Sequence, residues 1–579
     1  MNNNLKQYIP ALSWLANYNK GQLKGDLVAG LTVGVMLIPQ GMAYAMIAGL
    51  PPIYGLYAST IPLIIYALLG TSRQLAVGPV AMVSLLTAAG IGTLADGGTE
   101  LYISLAIALA LMVGLIQLLL GLFRLGFLVN FLSHPVISGF TSAAALIIGL
   151  SQLKHLLGVD IARSHHIHEI LIQAAQQVGQ INWATFGIGI AGIVLIKGAR
   201  KYRPSLPGPL LAVAFGILAV WGLGLTEQGV KIVGTVPGGL PAFSIPAFDS
   251  SQLQNLLPIA LAISLVSFME SIAVAKAIQS KHKNYKVIPN QELIALGAAN
   301  IAGSFFQSYT TTGGFSRTAV NDQAGAQSGM ASIISAVLIV LTLLFLTPLF
   351  YFLPKAILAS VIMVAVFGLI DIKEARHLWK ADRSDFWMLI VTFVATLSLG
   401  IEQGIGIGVI LSLAMIIFRS TRPHIAELGN IPGTYFYRNV NRFQQVRSLE
   451  DLLIVRFDAQ LYFANINYFT DKTEELIQAK GQNLQTIILS AESINSVDSS
   501  AVHALEEWVN GLKGEGITVY FSGVKGPVRD ALAKGHLLEK LGEEAFYMSV
   551  QEAADAHKNR MAKREGRSDF SDYTLQANL

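Results

Sequence analysis

Two glycine-containing stretches decide the fold of this chain: residues 74–82 read QLAVGPVAM, and residues 309–318 read YTTTGGFSRT. Each stretch is extended at first and then leads into an apolar segment that is short for a regular membrane-spanning helix, which needs about 20 residues. The first stretch follows two longer apolar segments, and the second stretch follows two longer apolar segments in the other half of the chain. This layout predicts a pair of half-helices within a polytopic membrane protein.

The composition agrees with a membrane protein that has a soluble C-terminal domain. The 579 residues are 53% hydrophobic and 13% charged, with a mean hydropathy of +0.53, whereas soluble domains are roughly 25% charged. The charge deficit lies between residues 26 and 419, and the remainder has an ordinary composition. The absence of cysteine excludes disulfides, thiolate metal sites and cysteine nucleophiles. A net charge of +4 without a basic stripe argues against nucleic-acid binding.

Fourteen apolar segments are candidate spans. They are 27–49, 53–70, 78–93, 101–122, 134–153, 181–197, 208–225, 253–276, 292–306, 313–327, 330–350, 353–370, 385–400 and 402–419. The short segments 78–93 and 313–327 are the third of each set of seven. Because seven is odd, the second set must enter the membrane from the opposite side. We therefore predict a seven-plus-seven inverted repeat, an arrangement found in many carriers.

The distribution of basic residues predicts the orientation. With the N-terminus in the cytoplasm, lysine and arginine concentrate in the cytoplasmic connections, as the positive-inside rule requires. The opposite side has only Lys154, Arg163, Lys231 and Lys355. We expect a multi-pass protein of the cell inner (cytoplasmic) membrane with both termini in the cytoplasm. The predicted domains are an N-terminal cytoplasmic segment 1–26, a transmembrane domain 27–420, a linker 421–437, an α/β domain 438–559 and a disordered tail 560–579.

The paired half-helices predict an anion site. If their N-termini meet near the midplane, unpaired N–H groups and positive dipole ends point at one place; the alternative is that the glycines only allow close helix packing. Arg317 lies in the second half-helix, where a buried charge is costly unless it is compensated. It would supply positive field for a dianion, with the Ser316 hydroxyl beside it. The alternative for Arg317 is a structural ion pair with Glu270.

Three further side chains in apolar spans are candidates for the site. Burial would favour the neutral form of Glu270 and Arg317 nearby would favour its charged form, so Glu270 can exchange a proton as an anion arrives and leaves. The alternative is an acid at the cytoplasmic end of the helix. Gln40 and Tyr44 are four residues apart and share a helix face. They offer amide and phenol donors, unless Pro39 only kinks the helix and Tyr44 only packs.

At these motifs the chain resembles the SulP family of sulfate permeases and related anion transporters. Residues 52–62, 70–73 and 78–81 resemble the family's N-terminal signature, and residues 294–300 and 310–321 resemble its second signature. The resemblance covers essentially the whole chain. It implies a core domain with the site, a gate domain against which the core moves, and a homodimer.

The resemblance also implies which residues form the site. The anion-binding positions are Gln40, Tyr44, Ala81, Phe315, Ser316 and Arg317. The acid of the eighth span is Glu270. In the sodium-coupled bicarbonate members, an aspartate at this position is joined one turn later by a threonine, but this chain has Val274, which offers no oxygen ligand. The difference argues against sodium coupling and is consistent with proton coupling.

The C-terminal part predicts an α/β domain of roughly 120 residues, because strands alternate with helices. The expected strands are 453–457, 486–489 and 517–521, and the expected helices lie near 465–480, 499–513 and 526–535. The run 494–505 resembles the strand-to-helix loop of STAS domains, with Asp498 as an N-cap. Ser499 matches a serine that is phosphorylated in bacterial relatives; the alternative is a simple capping cluster.

Together these observations predict proton-coupled uptake of sulfate by a secondary transporter. The alternatives are another anion on the same scaffold (bicarbonate, a dicarboxylate, chloride or oxalate), the related nucleobase carriers, and a membrane-anchored STAS signalling protein. The polar parts show no nucleophile–base set, so we expect no enzyme, no cofactor and no metal. The expected partners are a small anion, a proton, the lipid bilayer and a second copy, with a cytoplasmic partner of the STAS domain as a further candidate and no nucleic acid.

Overall fold

The computed structural model describes residues 9–16, 18–127, 133–161, 167–202, 207–246, 250–282 and 285–564. The chain divides into two compact units, Met1–Leu413 and Ala414–Leu579. The first unit is helical and the second is built around a six-stranded sheet.

The first half of the membrane unit contains eleven helices and one short strand within the described ranges. They are α1 Ala11–Leu15, α2 Lys20–Ile47, α3 Ile53–Tyr57, α4 Ile61–Leu69, β1 Val77–Gly78, α5 Ala81–Gly92, α6 Glu100–Leu122, α7 His134–Ser151, α8 Leu153–Leu157, α9 Ile167–Gln176, α10 Trp183–Tyr202 and α11 Gly208–Leu223.

The second half continues with α12 Ser250–His282, α13 Pro289–Ser304, β2 Thr312–Gly313, α14 Phe315–Gln323, α15 Met330–Leu341, α16 Lys355–Phe367, α17 Ile372–Ala381, α18 Arg383–Leu399 and α19 Ile401–Thr421. Each of the fourteen predicted spans therefore contains a helix. In the described part, eight helices are long and apolar enough to cross a membrane, and Ile53–Leu69, α5 and α11 are shorter apolar helices.

Helix α2 begins at a capping box and runs unbroken through its proline. Asn19 Oδ1 accepts a hydrogen bond from Gln22 N–H at 3.0 Å, and the Gln22 side chain accepts one from Asn19 N–H at 3.1 Å. Membrane helices tolerate an internal proline when neighbouring groups satisfy the backbone, and α2 continues through Pro39 to Ile47. Gly41 instead allows close packing: a Cβ there would lie 2.9 Å from the carbonyl oxygen of Gly55.

The helix contacts show the inverted repeat directly. Helix α2 packs against α15, which are the first and eleventh spans, and α12 packs against α6, which are the eighth and fourth. In a seven-plus-seven repeat, the first span corresponds to the eighth span and the eleventh span corresponds to the fourth. The two helix pairs are therefore equivalent contacts in the two halves. The contact between α7 and α18, the fifth and thirteenth spans, is likewise equivalent to the contact between α16 and α10, the twelfth and sixth spans. The protein is therefore a polytopic helical membrane protein with two halves of opposite orientation.

The two glycine-containing stretches form a small antiparallel sheet that joins the two halves. Val77 pairs with Gly313, and Gly78 pairs with Thr312. Gly78 and Gly313 therefore lie in strands, and Gly314 directly precedes the second half-helix; the half-helices begin at Ala81 and Phe315. Because the strands are antiparallel and each leads at once into a helix, the two half-helices start close to one another.

The second unit is an α/β domain with strand order β4-β3-β5-β6-β7-β8. The strands are β3 Ile425–Asn430, β4 Tyr437–Asn439, β5 Leu452–Phe457, β6 Thr486–Ser490, β7 Thr518–Ser522 and β8 Phe546–Tyr547. The helices are α20 Ile466–Lys480, α21 Ser499–Gly514, α22 Gly526–Lys534, α23 Leu537–Leu541 and α24 Val550–Arg564. Strand β3 is antiparallel to both of its neighbours, and β5 to β8 are parallel.

Two boundaries of this unit differ from the sequence-based expectation. The segment 421–437, expected as a linker, contains β3, whose alternating buried residues pack on the sheet while its charged Glu427 weakens the strand pattern in the sequence. A disordered tail was expected from residue 560, but α24 continues to Arg564. Residues 565–579 lie outside the described part of the chain.

Candidate functional site

The N-termini of the two half-helices are uncapped. Helix α5 follows Val80 and helix α14 follows Gly314, and neither preceding residue makes a side-chain capping bond. The first N–H groups of such helices have no partner within the helix. Pro79 lies two residues before α5. Both helix ends therefore offer N–H donors and a positive dipole end to an anion.

Arg317 lies between these two helix ends as a buried cation. Its side chain is 2% exposed, and Nη1 donates a hydrogen bond to the carbonyl oxygen of Pro79 at 2.5 Å. Its Nε and Nη2 groups have no hydrogen-bond partner. Among the ion pairs of the described residues none involves Arg317, so it makes no ion pair with Glu270. A buried charge with unpaired donors is costly, and an anion would satisfy those donors.

Two glycines give the guanidinium its room. A Cβ on Gly314 would lie 3.0 Å from Nη2 of Arg317, and a Cβ on Gly78 would lie 3.3 Å from the same atom. Gly78 also has a φ of +150°, which L-residues with a side chain rarely adopt. Glycines of both stretches therefore allow close packing, and the group that packs against them is the guanidinium of Arg317.

Two of the predicted residues lie near Arg317, and one further aromatic residue joins them. Tyr44, Glu270 and Tyr309 lie near enough to act electrostatically on the guanidinium. Oε2 of Glu270 is buried without a hydrogen-bond partner. Gln40 lies one helical turn before Tyr44 and is also buried, with Oε1 unpartnered. The site thus brings two phenols and a carboxyl group to one cation, and the Gln40 amide lies on the same helix as one of the phenols.

The remaining predicted residues occupy the first turns of the half-helices. Ala81 is the first residue of α5 and is buried, whereas Phe315 is 63% exposed and Ser316 is also exposed. The second half-helix therefore presents a ring and a hydroxyl to open space, with the buried charge of Arg317 directly behind them.

A hydrogen-bond network that sequence reasoning missed fixes the two strands in place. Ser271 Oγ and Thr312 Oγ1 are 2.7 Å apart, and Gly313 N–H donates to Ser271 Oγ at 2.8 Å. Ala76 N–H donates to Thr318 Oγ1 at 3.0 Å. Because Ser271 is adjacent to Glu270, the helix with the acid is hydrogen-bonded directly to β2. The signal in the sequence was the presence of serine and threonine in otherwise apolar spans.

A second missed contact joins α5 to the segment before β2 through Tyr309. Its hydroxyl lies 3.0 Å from Ser84 Oγ in α5, and both side chains are fully buried. Asn300 holds the residue that precedes β2: Thr311 N–H donates to Asn300 Oδ1 at 2.7 Å, and Asn300 Nδ2 donates to the Thr311 carbonyl at 3.1 Å. These bonds make the site one rigid assembly of both halves.

In the second unit, the loop before α21 is capped as expected. Asp498 accepts a hydrogen bond from Ala501 N–H at 2.8 Å and another from Phe463 N–H at 3.0 Å. Ser499 is the first residue of α21 and is exposed. Its phosphorylation stays a prediction.

Two half-helices that start together inside an inverted repeat are an architecture found in many membrane transporters, and the membrane unit has this architecture. The model of the Sulfate permease family matches residues 23–392, and that of the STAS domain matches residues 444–553. The chain therefore belongs to the sulfate permease family and contains a STAS domain.

Individual relatives agree with this assignment over nearly the full chain. The "Probable sulfate transporter 4.2" of Arabidopsis thaliana is 41% identical, with 98% of this chain and 88% of the relative covered. The "Probable sulfate transporter MT1781" of Mycobacterium tuberculosis is 35% identical, with 96% and 98% covered. The solved structure of the murine Slc26a9 anion transporter in the inward-facing state is 26% identical, covers 96% of this chain and 94% of that one, and has a TM-score of 0.87.

Proposed function

We propose that this protein is a secondary active anion transporter that takes up sulfate together with protons across the cytoplasmic membrane. The relatives named as sulfate transporters support the substrate. The single observation that supports an anion site most strongly is the buried Arg317, whose Nε and Nη2 are unpaired between two uncapped helix N-termini.

The proposed binding mode uses both half-helices. The anion lies between their N-termini and accepts hydrogen bonds from the Ser316 hydroxyl and from the backbone N–H groups near Ala81 and Phe315. Arg317 supplies positive field and its two unpaired donors. Gln40 and Tyr44 complete the wall on α2. Hydrogen bonds that involve a charged group contribute about 1.5–3 kcal/mol each, so a few of them account for selective binding of a dianion.

Glu270 is the proposed proton carrier. Its buried Oε2 has no partner and it makes no ion pair with Arg317, so its proton can leave or bind without breaking an existing bond. Val274, one turn later, is buried and provides no oxygen for sodium. An inside-negative potential of 100 mV opposes entry of a dianion by about 4.6 kcal/mol, because each charge contributes about 2.3 kcal/mol. Each accompanying proton offsets one charge.

Uptake of radiolabelled sulfate into proteoliposomes tests the proposal. A pH gradient, a sodium gradient and a membrane potential are imposed one at a time. We expect accumulation with an acidic exterior and none with sodium alone. Accumulation driven by sodium at equal pH would contradict the role of Glu270. Competition by unlabelled bicarbonate, chloride, oxalate or a dicarboxylate at lower concentrations than sulfate would assign a different substrate to the same site.

The homodimer, the cytoplasmic termini and the movement of a core domain against a gate domain belong to the same proposal. The STAS domain is proposed to regulate or assemble the transporter and not to be the functional part by itself. Deletion of residues 440–579 should leave measurable transport in proteoliposomes. Loss of transport with an intact, correctly inserted membrane unit would favour the signalling alternative.

A further inference from the structure

A single amide side chain interrupts the apolar run of α6. From Leu105 to Leu122, every residue except Gln117 is alanine, glycine or a larger apolar residue. Gln117 is fully buried, and a buried amide is costly unless its polar atoms are hydrogen-bonded. It is not one of the site residues predicted from the sequence, so the reason for an amide at this position must lie in its contacts with neighbouring helices.

Two glycines bring α6 close to α13 beside this amide. A Cβ on Gly114 would lie 2.8 Å from the carbonyl oxygen of Gly297, and a Cβ on Gly297 would lie 2.6 Å from the backbone nitrogen of Leu118. Gly114 precedes Gln117 by about one helical turn, and Gly297 precedes Asn300 by the same distance along the chain. The close approach lets the two amides meet, and Asn300 Nδ2 donates to Gln117 Oε1 at 3.2 Å.

The nitrogen of the Gln117 amide bonds to α12, the helix that carries Glu270. Nε2 donates to Ser267 Oγ at 2.8 Å and to the Ser264 carbonyl at 3.4 Å. Ser267 is three residues before Glu270, so it lies on the adjacent turn of the same helix. Both serines are fully buried, and hydrogen bonds in such a low-dielectric interior are stronger than in water. Gln117 therefore holds α12 next to the acid.

The partners of this amide in turn hold β2. Asn300 Oδ1 accepts a hydrogen bond from Thr311 N–H at 2.7 Å, and Thr312 Oγ1 donates to the Ser267 carbonyl at 2.7 Å. The residue that precedes β2 and the first residue of β2 are thus bonded to the two residues that Gln117 joins. Strand β2 leads into α14, the helix of Arg317.

We propose that Gln117 is a positioning residue of the anion site. It joins the helix of Glu270 to the segment that leads into the helix of Arg317, so that the acid and the cation keep one relative position. It acts through Ser267 and Asn300, because each of its hydrogen bonds goes to one of these residues or to the Ser264 carbonyl. The expected effect on sulfate rests on the proposed function, whereas the expected effect on β2 does not.

Hydrogen–deuterium exchange of the full-length protein in nanodiscs, without added sulfate, tests the positioning itself. Gln117→Met removes the amide and keeps an unbranched side chain of similar length. We expect the amides of Thr311 and Gly313 to exchange about tenfold faster in this variant, because loss of one buried hydrogen bond corresponds to roughly that factor. A peptide that contains β6 of the second unit should exchange equally in both proteins.

Ser360→Ala is the matched control. Ser360 is also fully buried, and its Oγ donates to the Gly189 carbonyl at 2.7 Å, a contact between α16 and α10. The control therefore removes a buried hydrogen bond between two helices that carry no residue of the candidate site. It should leave the exchange of Thr311 and Gly313 unchanged.

Sulfate counterflow in proteoliposomes tests the consequence for the proposed function. Gln117→Met should raise the sulfate concentration for half-saturation by about tenfold and change the maximal exchange rate much less. Ser360→Ala should lower the denaturation midpoint and leave half-saturation unchanged. Gln117→Asn keeps the amide but is one methylene shorter, so it cannot hold both partners. It should show the same two effects as Gln117→Met and provides the test if that variant does not fold.

The outcomes separate a positioning role from a purely structural one. Wild-type exchange at Thr311 and Gly313 in both Gln117 variants would overturn the proposal. A lower denaturation midpoint with unchanged half-saturation would also overturn it, because this is the result expected of a residue that only stabilises the fold. Absence of sulfate counterflow in the wild-type protein would contradict the proposed function, and the exchange measurement would still decide whether Gln117 positions β2.

Discussion

Replacement of Glu270 by Gln removes a titratable proton from the proposed transport site and keeps the size of the side chain. In the described part of the chain, Glu270 is the only carboxylate with a buried oxygen that lacks a partner. If it transfers one proton in each cycle, a pH difference of one unit contributes about 1.4 kcal/mol to uptake, which is a tenfold accumulation of sulfate. The Glu270→Gln variant should lose this tenfold accumulation, so its internal sulfate concentration should be the same with and without the pH gradient.

The variant should also respond differently to voltage. With one proton a sulfate dianion crosses as a net charge of −1, and without the proton it crosses as −2. At 100 mV inside-negative, the variant therefore meets an additional barrier of about 2.3 kcal/mol, which reduces steady-state uptake by roughly fiftyfold. Because Glu270 makes no ion pair with Arg317, sulfate binding itself should change little.

The assay measures radiolabelled sulfate in proteoliposomes whose potential is clamped with potassium and valinomycin. Accumulation is compared at a pH difference of one unit and at equal pH, and counterflow exchange at equal pH reports binding and translocation without net proton movement. Glu100→Gln is the matched control, because it makes the same chemical change at an exposed position at the start of α6. Retention of the tenfold accumulation by Glu270→Gln would refute the reasoning. Equal loss of accumulation and counterflow would assign Glu270 a structural role.

Three further changes have defined outcomes. Arg317→Gln removes the donors Nε and Nη2, and loss of two charge-assisted bonds should weaken half-saturation for sulfate by about a hundredfold or more in counterflow. Gly314→Ala places a Cβ 3.0 Å from Nη2 of that arginine and should weaken half-saturation by about tenfold, whereas Gly406→Ala, where no atom lies within 4 Å, should leave it unchanged. Asp498→Ala removes the bond to Ala501 N–H and should lower the stability of the STAS domain by about 1 kcal/mol, seen as a lower denaturation midpoint with transport retained.

The membrane architecture could be predicted because each span carries its own signal. Hydrophobic length locates a helix without knowledge of its neighbours, and the paired positions of the two short segments indicated the inverted repeat. The parallel strands β5, β6 and β7 could also be predicted from the sequence, since buried parallel strands are continuous apolar runs. Strand β3 was missed because Glu427 and Asn430 make it a half-exposed strand next to a helix end.

The geometry of the site could not be predicted as fully from the sequence, because it depends on contacts between distant parts of the chain. The quoted stretches predicted that Arg317 lies near an anion, and they left open whether Glu270 would neutralise it. They could not show that its Nη1 would bond to the carbonyl of Pro79 or that Ser271 would bond to β2. Such bonds depend on the register of two strands from opposite halves, which no local pattern encodes. The spacing of residues within one span therefore predicted candidates, and only the tertiary structure joined them.

The pairing of β1 with β2 has a consequence for the synthesis of the protein. While the first half is inserted into the membrane, Val77 and Gly78 have no partner strand, and each unsatisfied backbone group in a bilayer costs several kcal/mol. Helix α5 has 12 residues, so it is about 18 Å long and cannot span roughly 30 Å of hydrocarbon. The first half is therefore an incomplete insertion product that must be held until Thr312 and Gly313 emerge from the ribosome. The backbone hydrogen bonds of the two strands and the anion site that we propose beside them are therefore completed together, when the second half folds against the first.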